Sequence, residues 1–211
     1  THTVVSVSAV GSLHLPYAPG HLVLPDGLYD RTSGRAASFF GPGLVAHIGL
    51  AEPFCPGARR ALVRSRAGIE APIHEGGALI VVEGPRFSTR TESNLHRTWG
   101  CQLVGMTAMP EAALAREAEM CYVSVSVVTD YDVWHAREEG VSTQIVLDTM
   151  RESVHQAQLL VRTALPALAA RESCSCREAL GTAMATAGEA IDPDLAATLA
   201  PIVGRYLDRE A

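Results

Sequence analysis

Cys121-Tyr122-Val123-Ser124-Val125-Ser126-Val127-Val128-Thr129-Asp130-Tyr131-Asp132 is the stretch on which the reading of this chain turns. From Cys121 to Val128 the residues are β-branched, apolar or small with no charge, which predicts a strand buried on both faces. Two carboxylates follow at once. Alternation points Asp130 and Asp132 to the same side, and carboxylates at the end of a buried strand are costly unless paired, protonated or bound to a ligand. A functional site is expected there.

Working outward, similar short runs recur at Thr3 to Val10, His21 to Leu24, Gly43 to Ile48, Ala78 to Val82 and Gln102 to Val104. Helical patterns alternate with them at Pro56 to Ala67, Thr89 to Trp99, Pro110 to Met120 and Ser142 to Ala169. The class is therefore α/β, a mixed central sheet flanked by helices. Thr89 with Glu92 fits a capping box, Pro110 suits a first helical position, and Ser142 can cap the long helix. In that helix Val146, Met150, Val154, Ala157, Val161 and Ala164 draw one apolar stripe for packing on the sheet. Residues 171–211 read as a helical, loosely specified tail, with Asp192-Pro193 as a helix start. No repeat or linker divides residues 1–211, so a single domain is expected. The β-rich start at Thr3 looks like an entry in mid-domain.

Composition narrows the chemistry. The 211 residues are 47% hydrophobic and 19% charged, enough for a core and too apolar for disorder. No apolar stretch approaches the ~20 residues needed to span a bilayer, so no membrane partner is expected. A net charge of −6 without a basic cluster gives nucleic acid little to hold. All basic residues are Arg, which excludes Schiff-base lysine and P-loop chemistry. The five Cys (55, 101, 121, 174 and 176) are scattered, and no secretory leader is visible; a reducing cytoplasm is the expectation. Cys174-x-Cys176 alone could make a strained disulfide or help bind a metal, but two thiols are expected. The eight His lack metal-ligand spacing, and no further acid lies near Asp130 and Asp132 to complete an oxygen shell. No metal is expected.

Two more strand-to-helix stretches carry candidate chemistry. In Glu83-Gly84-Pro85-Arg86-Phe87-Ser88-Thr89, Gly84-Pro85 sets a turn, Phe87 offers a flat apolar surface, and Ser88 or the first helical amides suit a polar group. In Gly105-Met106-Thr107, Thr107 could serve an anion and Met106 a sugar face. The same residues also suit plain connections, with Phe87 and Met106 as core and Thr107 as a cap.

These stretches in this order resemble the trimeric purine nucleoside phosphorylase family, and within it the 5′-methylthioadenosine phosphorylases. The resemblance is carried by Glu83 to Ser93, by Gly105-Met106-Thr107 with Pro110-Glu111 and Leu114-Ala115-Arg116-Glu117, and by Cys121-Tyr122 running to Asp132. Val10-Gly11-Ser12-Leu13, Asp30-Arg31-Thr32 and Ala51-Glu52-Pro53-Phe54-Cys55-Pro56 support it. It implies phosphorolysis of the N-glycosidic bond of 5′-methylthioadenosine, with inorganic phosphate as co-substrate, no cofactor, and a homotrimer or hexamer. By the resemblance Asp130 is the acid that protonates purine N7, its pKa elevated by burial and a like charge, and Asp132 accepts from the amino group. Phe87 packs on the base, Ser88 orients it, Ala9 lies beside it, Met106 lies against the ribose, and Ser8 and Thr107 bind phosphate. Thr143, Val146 and Leu147 form the 5′ wall, and His47 reaches a neighbouring subunit's 5′ pocket.

Three departures qualify that picture. Family chains carry a front strand with a glycine-rich phosphate loop and a later Arg-His clamp, absent here, so phosphate affinity is expected to be reduced and sheet edge exposed. Gly105 stands where many methylthioadenosine enzymes have Asn and many methylthioinosine relatives have Gly, whereas the Asp pair argues for 6-aminopurines. A 6-oxopurine phosphorylase and a nucleoside-binding remnant without turnover are the alternatives.

Overall fold

The computed structural model describes residues 2–135, 142–171 and 173–207. Seven strands form one mixed sheet: β1 (Thr3–Ser12), β2 (Leu22–Leu24), β3 (Gly27–Arg31), β4 (Ile73–Glu75), β5 (Ala78–Val82), β6 (Leu103–Gly105) and β7 (Cys121–Asp130). Their order across the sheet is β3-β5-β6-β1-β7-β2-β4. The helices are α1 (Pro56–Arg64), α2 (Arg90–Thr98), α3 (Ala108–Glu117), α4 (Thr143–Ala169) and α5 (Pro193–Leu207). None of the described helices is long and apolar enough to cross a membrane.

β7 is the sheet's spine, and every one of its ten residues is buried. Val123, Val125 and Val127 turn to one face, where Ala58 and Leu62 of α1 and Ala157, Leu160 and Ala164 of α4 cover them. Tyr122 and Val128 turn to the other, against Ala112, Ala113 and Ala115 of α3 and Phe54. A two-sided cover excludes charge at both parities, hence the uncharged run from Cys121 to Val128. Ser124 and Ser126 satisfy one another at 3.1 Å.

β1 lies parallel to β7 from Thr3↔Cys121 to Val10↔Val128, then slips so that Gly11 pairs with Asp130. This bulge re-aims the strand end, as bulges beside functional sites do. Toward β6, β1 pairs only through Gly11 and Ser12. Its edge from Thr3 to Ala9 on that side therefore has no strand beside it among the described residues.

The helix signals hold. Thr89 and Glu92 form a reciprocal capping box on α2, and Ser142 caps α4 through the Ile145 N–H. Met109 is extended, so the regular turns of α3 begin at Pro110. Ala157 and Ala164 lie at the centre of the α4 stripe, while Val146, Met150, Val154 and Val161 are half-buried.

Three expectations need correction. Gly43 to Ile48 is not a strand: it is a loop with one isolated bridge, Ala46 to Met184, and Gly43 sits at φ +101° with Leu195 close by. β3 and β4 were not expected, because Gly-Leu-Tyr-Asp-Arg and Ile-His-Glu are short edge strands without an apolar run. The tail is better specified than its composition implies. Leu180, Ile191, Leu199 and Val203 close a cluster with Leu44.

That tail also gathers thiols. Cys55 at the N-cap of α1, Cys121 at the start of β7, and Cys174 and Cys176 beside a short 3-10 turn place their four Sγ atoms within 4.8 Å of one another. Residues far apart in sequence form one group.

Candidate active site

The site forms where four chain segments reach the same end of the sheet. A cavity of about 400 Å³ opens there. Asp130 and Asp132 form its floor with Thr129 and Gly11; Phe87 and Ser88 come from the β5–α2 loop, and Gly105, Met106 and Thr107 from the β6–α3 turn. Ser8 and Ala9 of β1 and Val146 of α4 complete it. The sequence candidates Asp130, Asp132, Phe87, Ser88, Gly105, Met106, Thr107, Ser8, Ala9 and Val146 are thus brought together.

Asp130 is held from several sides. Its Oδ1 accepts from the Asp132 N–H at 2.8 Å, and its Oδ2 lies 2.7 Å from the Thr129 hydroxyl. Gly11 makes the room. A Cβ there would stand 3.0 Å from Asp130 Oδ1 and 3.0 Å from Val104 Cγ1, within a bulge with no slack.

Asp132 adopts φ +50°, a left-handed conformation uncommon outside glycine and asparagine. Burial pushes its carboxyl above the ordinary aspartate range; the Ser93 and Ser88 hydroxyls, the Val133 N–H and the His96 imidazole pull the other way and only partly offset it. Among the described residues, its Oδ2 is buried on the cavity wall with no partner at hydrogen-bond distance. Buried polar atoms are nearly always paired, so an orphan oxygen beside a cavity points to a polar ligand. Burial likewise depresses the His96 pKa and favours the neutral imidazole.

The walls have their own supports. Phe87 is 37% exposed and Met106 half-buried, so neither is core. Gly84, at φ +69°, leaves space for Met106, since a Cβ there would fall 2.5 Å from its Sδ. Thr107 stands at the N-cap of α3, yet its hydroxyl makes no capping hydrogen bond. Gly105 is tightly enclosed, with Val10 Cγ1 3.3 Å and Leu79 Cδ1 3.4 Å from where a Cβ would sit.

Arg35, which the sequence did not single out, ties both walls together. Its guanidinium donates to the Met106 and Met109 carbonyls at 2.8 and 2.6 Å and to the Glu83 carbonyl at 2.7 Å, while Nε reaches the Glu83 carboxylate at 3.0 Å. One side chain thereby fixes the loop before Phe87 and the turn bearing Met106. No local motif announces it, because its partners are mostly backbone carbonyls between 47 and 74 residues on.

Thr143 and Leu147 are exposed on the first turns of α4 and do not line this cavity, although Val146 does. His47 is exposed in the 40–48 loop, its N–H bonded to the Ala183 carbonyl, away from the cavity.

A family model described as "Phosphorylase superfamily" matches residues 1–166. The chain belongs to the phosphorylase superfamily. An S-methyl-5′-thioadenosine phosphorylase of Chloroflexus aurantiacus is 45% identical over 204 residues, covering 96% of this chain and 71% of that protein. One of Pyrococcus furiosus is 44% identical, covering 85% and 68%. Among solved structures, a methylthioadenosine phosphorylase from an antarctic soil metagenomic library superposes with a TM-score of 0.90 at 36% identity, covering 96% of this chain and 72% of that one. The Schistosoma mansoni methylthioadenosine phosphorylase in complex with adenine superposes at 0.79 with 33% identity, covering 85% and 70%. As a superfamily member the chain has the nucleoside phosphorylase fold.

Proposed function

We propose that this protein cleaves 5′-methylthioadenosine with inorganic phosphate, giving adenine and 5-methylthioribose 1-phosphate. The observation that carries the reading is the convergence of two buried carboxyls, Asp130 and Asp132, with the flat Phe87 ring and the Met106 thioether on one cavity. Chemically, phosphorolysis forms a bond from a phosphate oxygen to C1′ and breaks C1′–N9, the bonding electrons passing to the purine. The leaving base needs a proton. Adenine offers an acceptor at N7 beside the amino donor at N6. Asp130 in its acid form delivers a proton to N7, and the unpartnered Oδ2 of Asp132 accepts from the amino group. The base thus supplies the partner that Asp132 lacks.

Phe87 stacks on the base, Ser88 orients it and Ala9 flanks it. Met106 covers the ribose, and Ser8 and Thr107 hold phosphate with hydroxyl donors. Val146 begins an apolar 5′ wall, which Thr143 and Leu147 extend; His47 serves the corresponding pocket of a second copy in a homotrimer. An apolar wall prefers a methylthio group to a hydroxyl by about 1–3 kcal/mol. The site of action is the cytoplasm. Gly105 favours a second reading, a 6-oxopurine substrate, because the resemblance places Gly at this position in many methylthioinosine-cleaving relatives; the Asp pair outweighs it, since Gly105 brings no side chain to the base.

Phosphate-dependent release of free base from 5′-methylthioadenosine, with inosine in parallel, tests both readings. Adenine release that requires phosphate is the expected result; preferential release from inosine would transfer the reading to 6-oxopurines. Nucleoside binding by calorimetry without release would leave a binding protein in place of an enzyme.

A further inference from the structure

The four thiols at the other end of β7 take no part in the proposed reaction. β7 spans ten residues, about 30 Å at the usual rise, between Cys121 and Asp130. Among the described residues, Cys55, Cys121, Cys174 and Cys176 are the one group of three or more His, Cys, Asp or Glu side chains close enough to share a metal ion. Cys55, Cys121 and Cys176 are buried, each at 2% exposure or less.

We propose that Cys55, Cys121, Cys174 and Cys176 form a tetrathiolate site for one thiophilic divalent cation, zinc(II) by its ligand chemistry, which fastens the C-terminal segment to the sheet. Three observations carry this. First, the four Sγ atoms lie within 4.8 Å of one another, with Cys55 and Cys174 Sγ at 3.5 Å, which brackets the edge of about 3.8 Å that a tetrahedral shell with zinc–sulfur bonds of about 2.3 Å requires. Second, the ligands come from three separate elements and converge, with two from a Cys-x-Cys turn. A four-sulfur, all-thiol set selects zinc over the hard cations. Third, Arg171 lies over the group, its guanidinium 3.3 Å from Cys55 Sγ. Gly57 admits it, since a Cβ there would fall 2.4 Å from the Arg171 Nη2. A dication with four thiolates carries a net charge of −2, and a half-buried guanidinium beside it is the outer group that such a centre needs. Binding releases one proton per thiol to solvent, four in all, with no electron transferred.

The test uses the full chain, produced with zinc available and purified under reducing, anaerobic conditions. Elemental analysis should find one zinc per chain, retained in Cys101→Ser, whose thiol lies outside the group, and lost from Cys174→Ser. Replacement with cobalt(II) should give the intense near-ultraviolet charge-transfer bands of thiolate ligation and the visible bands of a tetrahedral ion. Stripping the metal from the unaltered chain with a strong chelator should lower the melting temperature, and zinc should restore it. Arg171→Leu should weaken zinc affinity about tenfold in competition with a chromophoric chelator. Substoichiometric zinc with all five thiols titrating after denaturation would overturn the proposal. So would a mass deficit of 2 Da per disulfide in a parallel preparation made without reductant, or cobalt bound without thiolate bands.

Discussion

At the Asp130 end of β7 most of the polar groups come from short stretches, each contiguous in sequence, that end or directly follow a strand. At the Cys121 end the four sulfurs come from positions 55, 121, 174 and 176, and only the last two are neighbours. Both ends bury polar atoms at the rim of the same strand. They differ in what finishes them: the carboxyl end opens on a cavity, whereas the thiols are covered by the Arg171 guanidinium. An open cavity is suited to a transient ligand, and a covered group to a permanent one.

Substitutions can break that contrast. The largest effect is expected from Asp130→Asn, which removes the acid and should lower kcat/KM for 5′-methylthioadenosine by about 10²–10⁴, with near-normal thermal unfolding and a relative gain for inosine. Equal losses on both substrates would show that Asp130 does not read the base. Gly11→Ala drives a methyl group toward Asp130 Oδ1 and should cost about a hundredfold in kcat/KM through misplacement of that carboxyl. The melting temperature should fall as well, since the bulge cannot widen without shifting Val104. Unchanged kinetics would mean that the precise seat of Asp130 is unimportant.

Arg35→Ala releases the two walls together. It should raise KM about tenfold with a smaller change in kcat, because Phe87 and Met106 bind and do not react.

Asp132→Asn separates function from stability. The buried Asp132 carboxyl has a folded-state pKa above its unfolded value, so its contribution to stability is greatest at low pH and is lost as pH rises through the raised value. At neutral pH it is a liability to the folded protein without ligand. Asn should therefore raise the melting temperature at pH 7 while lowering kcat/KM about tenfold for the lost acceptor, and the stability gain should shrink toward acidic pH. A loss of stability at pH 7 would refute this account of Asp132. Smallest in its effect on turnover is Cys121→Ser, which should lower the melting temperature and leave kcat/KM per folded molecule unchanged, assayed after gel filtration. A kinetic change there would show that the two ends of β7 communicate.

Much of the carboxyl end was legible because each piece is local: a strand, a turn residue and a helix start fall within a dozen residues, and Thr89 with Glu92 announces its cap. The central strands were legible for the same reason, their apolar runs being long enough to stand out. What escaped depends on partners distant in sequence. β3 and β4 exist because β5 and β2 offer them edges, not because Gly27–Arg31 or Ile73–Glu75 demand extension. Arg35 acts on carbonyls that no side-chain pattern marks. The thiol group is likewise assembled by the fold, so spacing made five Cys look scattered.

The pairing of β1 with β7 also bears on how the protein folds. The Thr129 hydroxyl and the Val10 carbonyl, 3.2 Å apart at the bulge, are separated by 119 positions along the chain. Parallel pairing over such a span must close a long loop before any contact compensates the lost chain entropy. The floor of the cavity therefore cannot be completed by any early local hairpin. Competence to bind nucleoside should emerge in refolding no sooner than the global transition, so that a fluorescent purine analogue added during refolding would report the slowest collective step.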